Sequence, residues 1–215
     1  NLQIHENNTT HHNSSYYGYS AVYFSGSDRS SDSAEIEDCE IYNNGRNGVL
    51  ARDLSQFTLK NSLIKDNQRS GVWVRYCSGD ILNNQISGNN RSEDISSSAP
   101  WSSGERAAGL RIYSGYIFTV HSNTIIGNRC TGLYLRGNTN SSTFSIEAKY
   151  NMISGNSGYY TGGVDLMDHV HFSHNTVIGN VSTLNQSTYA GGLDVYYGGD
   201  FGSVEHNTIS NNSSN

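Results

Sequence analysis

Two aspartates sit at the end of one short string written twice, Gly162-Gly163-Val164-Asp165 and Gly191-Gly192-Leu193-Asp194. If the two strings lie on neighbouring strands, the carboxylates are about 5 Å apart. Two carboxylates that close repel, so one keeps its proton while the other stays ionised. A pair about 5–5.5 Å apart is the arrangement by which a retaining glycosidase cleaves a sugar linkage, one group acting as acid and the other as nucleophile or base. Arg136, diagonal to Asp165 and one unit earlier, and His169 would support the charge. The same geometry also suits Ca²⁺, with Asp165, Asp194 and Asp168 as oxygen ligands. A third reading makes the pair structural. Asp200 is close in sequence and could join either arrangement.

Such a site needs a repeating frame, and the chain has one. The string Asn-Thr-Ile/Val-Ile-Gly-Asn runs from Asn123 to Asn128 and from Asn175 to Asn180, with close copies at Asn84 to Asn89, Asn151 to Asn156 and Asn207 to Asn212. The second Asn falls at Asn7, Asn44, Asn67, Asn89, Asn128, Asn156, Asn180 and Asn212, with shortest spacings of 22, 23 and 24. That is one turn of a three-sided coil of stacked strands. Apolar residues alternate with period 2, so the elements are strands. A leucine-rich repeat would need a string that is absent. The expected fold is all-β: a right-handed, single-stranded parallel β-helix of about seven to eight coils with Asn columns, in one domain over 1–215. Stacked Asn side chains can hydrogen-bond along the axis. Asn and Gly also tolerate the left-handed backbone of tight turns.

The clearest strand follows the Gly of each unit: Val49-Leu50-Ala51, Val72-Trp73-Val74, Leu110-Arg111-Ile112, Leu133-Tyr134-Leu135, Val164-Asp165-Leu166 and Leu193-Asp194-Val195. Alternation turns the first and third residues inward and the middle one outward. The outward column is then Tyr23, Leu50, Trp73, Arg111, Tyr134, Asp165, Asp194. The next outward column is Ser25, Arg52, Arg75, Tyr113, Arg136, Met167, Tyr196. Aromatic faces stack on sugar rings, and arginine forks hold carboxylates or hydroxyls. Trp73, Arg75, Arg111, Tyr113, Tyr134 and Tyr196 are therefore the expected substrate-binding residues of a groove. The alternative is that these residue types simply pack well on a β-face. Insertions depart from the minimal coil at one corner, about 8–19, 90–108, 157–161 and 181–190. They carry His11, His12, Tyr16, Tyr17, Tyr19, Glu93, Asp94, Trp101, Glu105, Arg106, Tyr159, Tyr160 and Tyr189. Insertions gathered on one face of a solenoid mark a binding face.

With its Asn and Gly columns the chain resembles the right-handed parallel β-helix superfamily, the pectate-lyase-like and parallel β-helix repeat proteins, over nearly all its length. The resemblance implies the scaffold and polysaccharide chemistry. The strings of its specific enzymes are missing: Asn123-Thr124 is followed by Ile125 where a polygalacturonase-like enzyme has Asp, and the one proline follows Ala99, so no Asp-Pro-His-Asp occurs. Met167-Asp168-His169 echoes two letters of a pectate-lyase string.

Hydrophobic residues are only 34%, which the narrow core column of a solenoid accommodates. A net charge of -6 with no basic stripe disfavours nucleic acid as a partner. No apolar run is long enough to insert in a membrane. Three cysteines, Cys39, Cys77 and Cys130, give no disulfide framework, and Cys39 takes an Asn slot as a buried filler. Ser-, Asn- and Tyr-rich composition fits an extracellular or cell-surface setting. The first and last coils lack caps, so flanking domains of a parent protein or end-to-end association are expected. The function read from the sequence is extracellular recognition of a polysaccharide or glycoprotein glycan, with cleavage by hydrolysis or elimination and no required cofactor beyond the Ca²⁺ alternative. The competing readings are a non-catalytic glycan-binding or adhesion module and a structural spacer.

Overall fold

The computed structural model describes residues 2–6, 20–27, 29–90, 107–138, 145–184, 189–196 and 202–214. Asn7, His11, His12, Tyr16, Tyr17, Tyr19, Glu93, Asp94, Trp101, Glu105, Arg106 and Asp200 lie outside the described residues. The chain is a parallel β-helix. Three long sheets run along its axis, with eight, seven and seven strands among the described residues. The first sheet takes the strand inside each Asn motif, from Gln3–His5 to Thr208–Ser210. The second takes the strand after each Gly, from Ser20–Ser25 to Leu193–Tyr196. The third runs from Ser33–Glu37 to Ser203–Glu205.

Each strand is short because only two or three side chains can turn into the narrow interior. Ile41, Ile64, Ile86, Ile125, Ile153 and Val177 line one wall, all at 0% exposure. Val49, Val72, Leu110, Leu133 and Val164 line the second, and Phe57, Ile81, Val120, Ile146 and Phe172 belong to the third. Burying one such side chain contributes about 1.5–3 kcal/mol.

The Asn columns are continuous hydrogen-bond ladders. In each step the backbone N–H and the side-chain amide of one Asn donate to the Oδ1 of the next. Asn128 donates both to Asn156, at 3.0 and 2.9 Å, and Asn156 donates both to Asn180, at 2.9 and 2.9 Å. A second ladder runs Asn84, Asn123, Asn151, Asn175, Asn207. Ser62 and Cys39 extend it downward: Ser62 N–H donates to Asn84 Oδ1 at 2.9 Å and Cys39 N–H to Ser62 Oγ at 3.1 Å. Cys39 thus fills an Asn slot, half-buried there and not buried as expected.

The left-handed backbone does not fall on the ladder Asn of these steps. It falls one residue earlier, at Asn43, Asp66, Gly88, Gly127, Gly155 and Gly179 on one corner and at Asp38, Asn61, Asn83, Ser122, Tyr150, His174 and His206 on another. The Gly that follows the ladder Asn is there for space. A Cβ on Gly132 would meet Asn156 Nδ2 at 2.6 Å and Ile153 Cγ2 at 2.8 Å. Gly132→Ala is therefore expected to cost about 1–3 kcal/mol as overpacking, seen as a lower midpoint in thermal unfolding.

Cys77 and Cys130 are buried. Burial pushes the Cys77 thiol up to about 11 and raises Cys130 as well. A thiol reagent that needs the thiolate should therefore find both inert in the folded protein. Titration is expected to count no more than one fast thiol, Cys39, before denaturation and three after it. Fast modification of Cys77 in the folded protein would contradict this packing.

Candidate functional site

The second sheet pairs its outward residues in the expected register: Tyr23 with Leu50, Leu50 with Trp73, Trp73 with Arg111, Arg111 with Tyr134, Tyr134 with Asp165 and Asp165 with Asp194. The second outward column also holds, with Arg75 opposite Tyr113, Tyr113 opposite Arg136, Arg136 opposite Met167 and Met167 opposite Tyr196. The register places Asp165 and Asp194 one strand spacing apart, about 4.8 Å.

Exposure departs from the expectation of an open groove. Trp73, Arg111, Tyr134 and Asp165 are 8%, 2%, 5% and 4% exposed, although they point away from the core. Large neighbours one strand spacing apart close on each other. The Arg111 guanidinium lies 5.3 Å from the Trp73 ring centroid and 4.8 Å from that of Tyr134, so ring faces expected to meet sugar already meet an arginine. The second column is more open. Arg75, Tyr113 and Arg136 are half-buried and Tyr196 is exposed. Tyr113 collects three guanidinium groups, from Arg75, Arg111 and Arg136, at 5.5, 5.5 and 5.3 Å.

Arg136 is not where charge compensation of Asp165 required it. Its Nε donates to Asp168 Oδ2 at 3.1 Å, and its Nη1 to the Tyr113 hydroxyl at 3.4 Å. Asp168 therefore faces Arg136 and does not join Asp165 and Asp194 as a third ligand. Among the described residues no three His, Cys, Asp or Glu side chains gather around one point. The other Asp168 oxygen, Oδ1, is buried with no hydrogen-bond partner. Asp168 and His169 are both left-handed, at φ 47° and 52°. Two successive non-glycine residues there store about 1–3 kcal/mol each. Hydrogen bonds from Gly137 N to the Asp168 carbonyl at 2.9 Å and from Ile146 N to the His169 carbonyl at 3.0 Å hold that corner. His169 lies past this corner and outside the outward column.

The residues beside the aspartates come from the insertions. Thr161 Oγ1 donates to Asp194 Oδ2 at 3.3 Å. Thr161 is itself fully buried and fixed, its carbonyl accepting from Thr131 Oγ1 at 2.7 Å. Next to it Tyr160 meets Tyr159 edge-on at 4.9 Å and Tyr189 at 4.8 Å between ring centroids. All three tyrosines are half-buried, as is Asp194. A fourth, three-stranded sheet of Ser157–Gly158, Val181–Ser182 and Ser213–Ser214 supports this corner. Period-2 alternation cannot reveal strands of two residues, so this sheet is not legible in the sequence.

A family model described as "Right handed beta helix region" matches residues 2–215. The chain belongs to that right-handed β-helix family. Among solved structures, the A-module of the Azotobacter vinelandii mannuronan C-5 epimerase AlgE6 is similar at 15% identity, with a TM-score of 0.37, over 84% of this chain and 50% of that one. The chain spans about half the length of that module. No curated protein matches the chain. No helix of this β-helix protein, among the described residues, is long and apolar enough to cross a membrane.

Tyr134 closes the site on its other side. Burial raises its pKa above the ordinary tyrosine value, Arg111 opposes that, and Asp165 adds to it. The hydroxyl therefore stays protonated, and it donates to Met167 Sδ at 3.2 Å. The carboxylate pair thus has Tyr134 beside Asp165 in register and Thr161 hydrogen-bonded to Asp194, the more exposed of the two.

Proposed function

We propose that this protein binds a polysaccharide against the tyrosine corner and cleaves it at the Asp165–Asp194 pair. The observation that carries this reading is the in-register pairing of the two aspartates beside Thr161 and the cluster of Tyr159, Tyr160 and Tyr189. Two carboxylates this close do not both ionise, and Asp165, the more buried member, is assigned as the acid. It gives its proton to the leaving oxygen. Asp194, more open and hydrogen-bonded by Thr161, attacks the anomeric carbon as a carboxylate. Water then displaces the sugar, and Asp165 takes the proton of that water. Ca²⁺ is not required by this scheme. A bridge between the two carboxylates remains the alternative use of the pair, and chelation tests it. The Ser- and Asn-rich composition supports placing the activity outside the cell or at its surface.

The near closure of Asp165 favours a second reading, a glycan-binding module without catalysis. Incubation with neutral and acidic polysaccharides, followed by chain-length analysis with and without Ca²⁺, separates the two. Shortening of one polymer is the expected result. Retention on one polymer without shortening would instead establish the binding module. In that case Tyr189→Ala is expected to weaken retention about fivefold to tenfold, the contribution of one aromatic stack. Neither shortening nor retention on any polymer would overturn both readings.

A further inference from the structure

On the far side of the coil, three ring side chains occupy equivalent corner positions in successive coils, Tyr150, His174 and His206, and His121 adjoins the row from one residue before the equivalent Ser122. Centroid distances along this row are 6.4 Å for His121–Tyr150, 5.3 Å for Tyr150–His174 and 5.1 Å for His174–His206. The last pair is stacked, at 20° between ring planes. Tyr150, His174 and His206 have left-handed backbone, at φ 56°, 57° and 53°. Earlier coils put Asp38, Asn61 and Asn83 at this position, the acidic and amide residues that tolerate it well. Tyrosine is a costly choice there, and imidazole brings metal-binding nitrogens to a turn that Asn would serve as well.

We propose that His174 and His206 form a two-imidazole site for a late first-row transition cation, Cu²⁺ most strongly and Ni²⁺ or Zn²⁺ less so. The two residues are held one coil apart by the ladder that follows them directly. Asn175 N and Nδ2 donate to Asn207 Oδ1 at 2.8 and 3.1 Å, and His174 N donates to the Glu205 carbonyl at 3.2 Å. Both imidazoles are exposed, so their rings turn without losing buried contacts. Two nitrogens bound to one ion at about 2.0–2.1 Å each lie roughly 3–4 Å apart. Rings stacked at 5.1 Å reach that by rotation about the side-chain bonds. Water completes the coordination.

Two other imidazoles already have a polar side-chain atom beside them. His121 Nε2 is 3.2 Å from a Glu147 oxygen, and His171 Nδ1 is 3.2 Å from Ser203 Oγ. The His174 and His206 side chains carry no hydrogen bond or ion pair among the described residues. Imidazole selects Cu, Ni and Zn over Mg²⁺ and Ca²⁺, which require oxygen ligands, and affinity peaks at Cu²⁺. The site is remote from the aspartate pair in sheet and corner, so it stands whether or not the protein acts on glycans.

Titration calorimetry of the whole protein with CuCl₂, ZnCl₂, MgCl₂ and CaCl₂ tests it. The parent is compared with His174→Gln, His206→Gln and His171→Gln. One equivalent of Cu²⁺ is expected in the parent, with affinity at least tenfold weaker in each of the first two variants and unchanged in the third. Mg²⁺ and Ca²⁺ should give no heat of binding. Bound Cu²⁺ is expected to show two equivalent nitrogen couplings in electron paramagnetic resonance. All three substitutions lie on the surface, and a metal-free melt confirms that the variants fold. No Cu²⁺ binding in the parent, or equal affinity in the His174 and His206 variants, overturns the site and leaves the pair as stacked rings only.

Discussion

Asp194→Asn is expected to leave the fold intact and to lower the rate of any polysaccharide cleavage at least about 100-fold, the scale of a lost acid–base or nucleophilic group. The change is isosteric, and the new amide oxygen can still accept the Thr161 hydroxyl that now lies 3.3 Å from Asp194. It removes the ionised member of the pair, so Asp165 no longer has to hold its proton against a carboxylate directly across the strand pair, a cost to the folded state. Activity and stability should therefore move in opposite directions, with a melting temperature equal to the parent's or raised by about 1–3 °C. Asp165→Asn is expected to abolish cleavage as well. Chain-length analysis of the susceptible polymer reads the first effect and thermal unfolding the second. Undiminished cleavage by Asp194→Asn would remove the carboxylate pair from the mechanism. A loss of rate accompanied by a fall of several degrees would assign Asp194 to structure.

The frame of this site was legible in the sequence because a solenoid converts sequence period into spatial register. Asp165 lies opposite Asp194 for the same reason that Ile153 lies opposite Val177: each coil repeats the last. Even across the long 90–108 insertion, Arg111 keeps its place opposite Trp73 and Tyr134. What alternation cannot supply is exposure. It says that Trp73 and Tyr134 leave the core, and nothing about what their neighbours do when all are large. The partner of Arg136 was illegible for a related reason. Diagonal reasoning along the sheet pointed to Asp165, but the strand ends at Met167 and the left-handed turn at Asp168 brings a second carboxylate onto the guanidinium. The Asn motif misled in one detail, since the backbone strain sits on the residue before the ladder Asn. The tyrosine corner was visible as insertion residues, but the tie from Thr161 beside it to Asp194 is a side-chain hydrogen bond that no spacing encodes.

The ladder should be the costliest part of the molecule to break. Asn156 is fully buried and makes five hydrogen bonds through its side chain and backbone N–H. Its Oδ1 accepts the N–H and side-chain amide of Asn128, its own N–H and amide donate to Asn180 Oδ1, and the amide also donates to the Ile125 carbonyl at 3.0 Å. Asn156→Ala takes away the acceptor of two buried donors and the donor of a buried carbonyl. Each buried polar group left unsatisfied costs about 1–3 kcal/mol. The expected loss is about 3–5 kcal/mol, a fall of roughly 6–20 °C in melting temperature for a chain of this size. Gln85→Ala, at an exposed position two strands away in the same sheet, should stay within about 0.5 kcal/mol of the parent. Asn156→Asp discriminates further. It keeps the acceptor for Asn128 but exchanges the amide donor for a buried charge facing the Ile125 and Asn180 oxygens. It should therefore be no better tolerated than alanine at neutral pH, and should regain part of the loss in acid as the carboxyl takes up a proton. A loss for Asn156→Ala no larger than that for Gln85→Ala would mean that the apolar column alone holds the coils, with the ladder merely following their register.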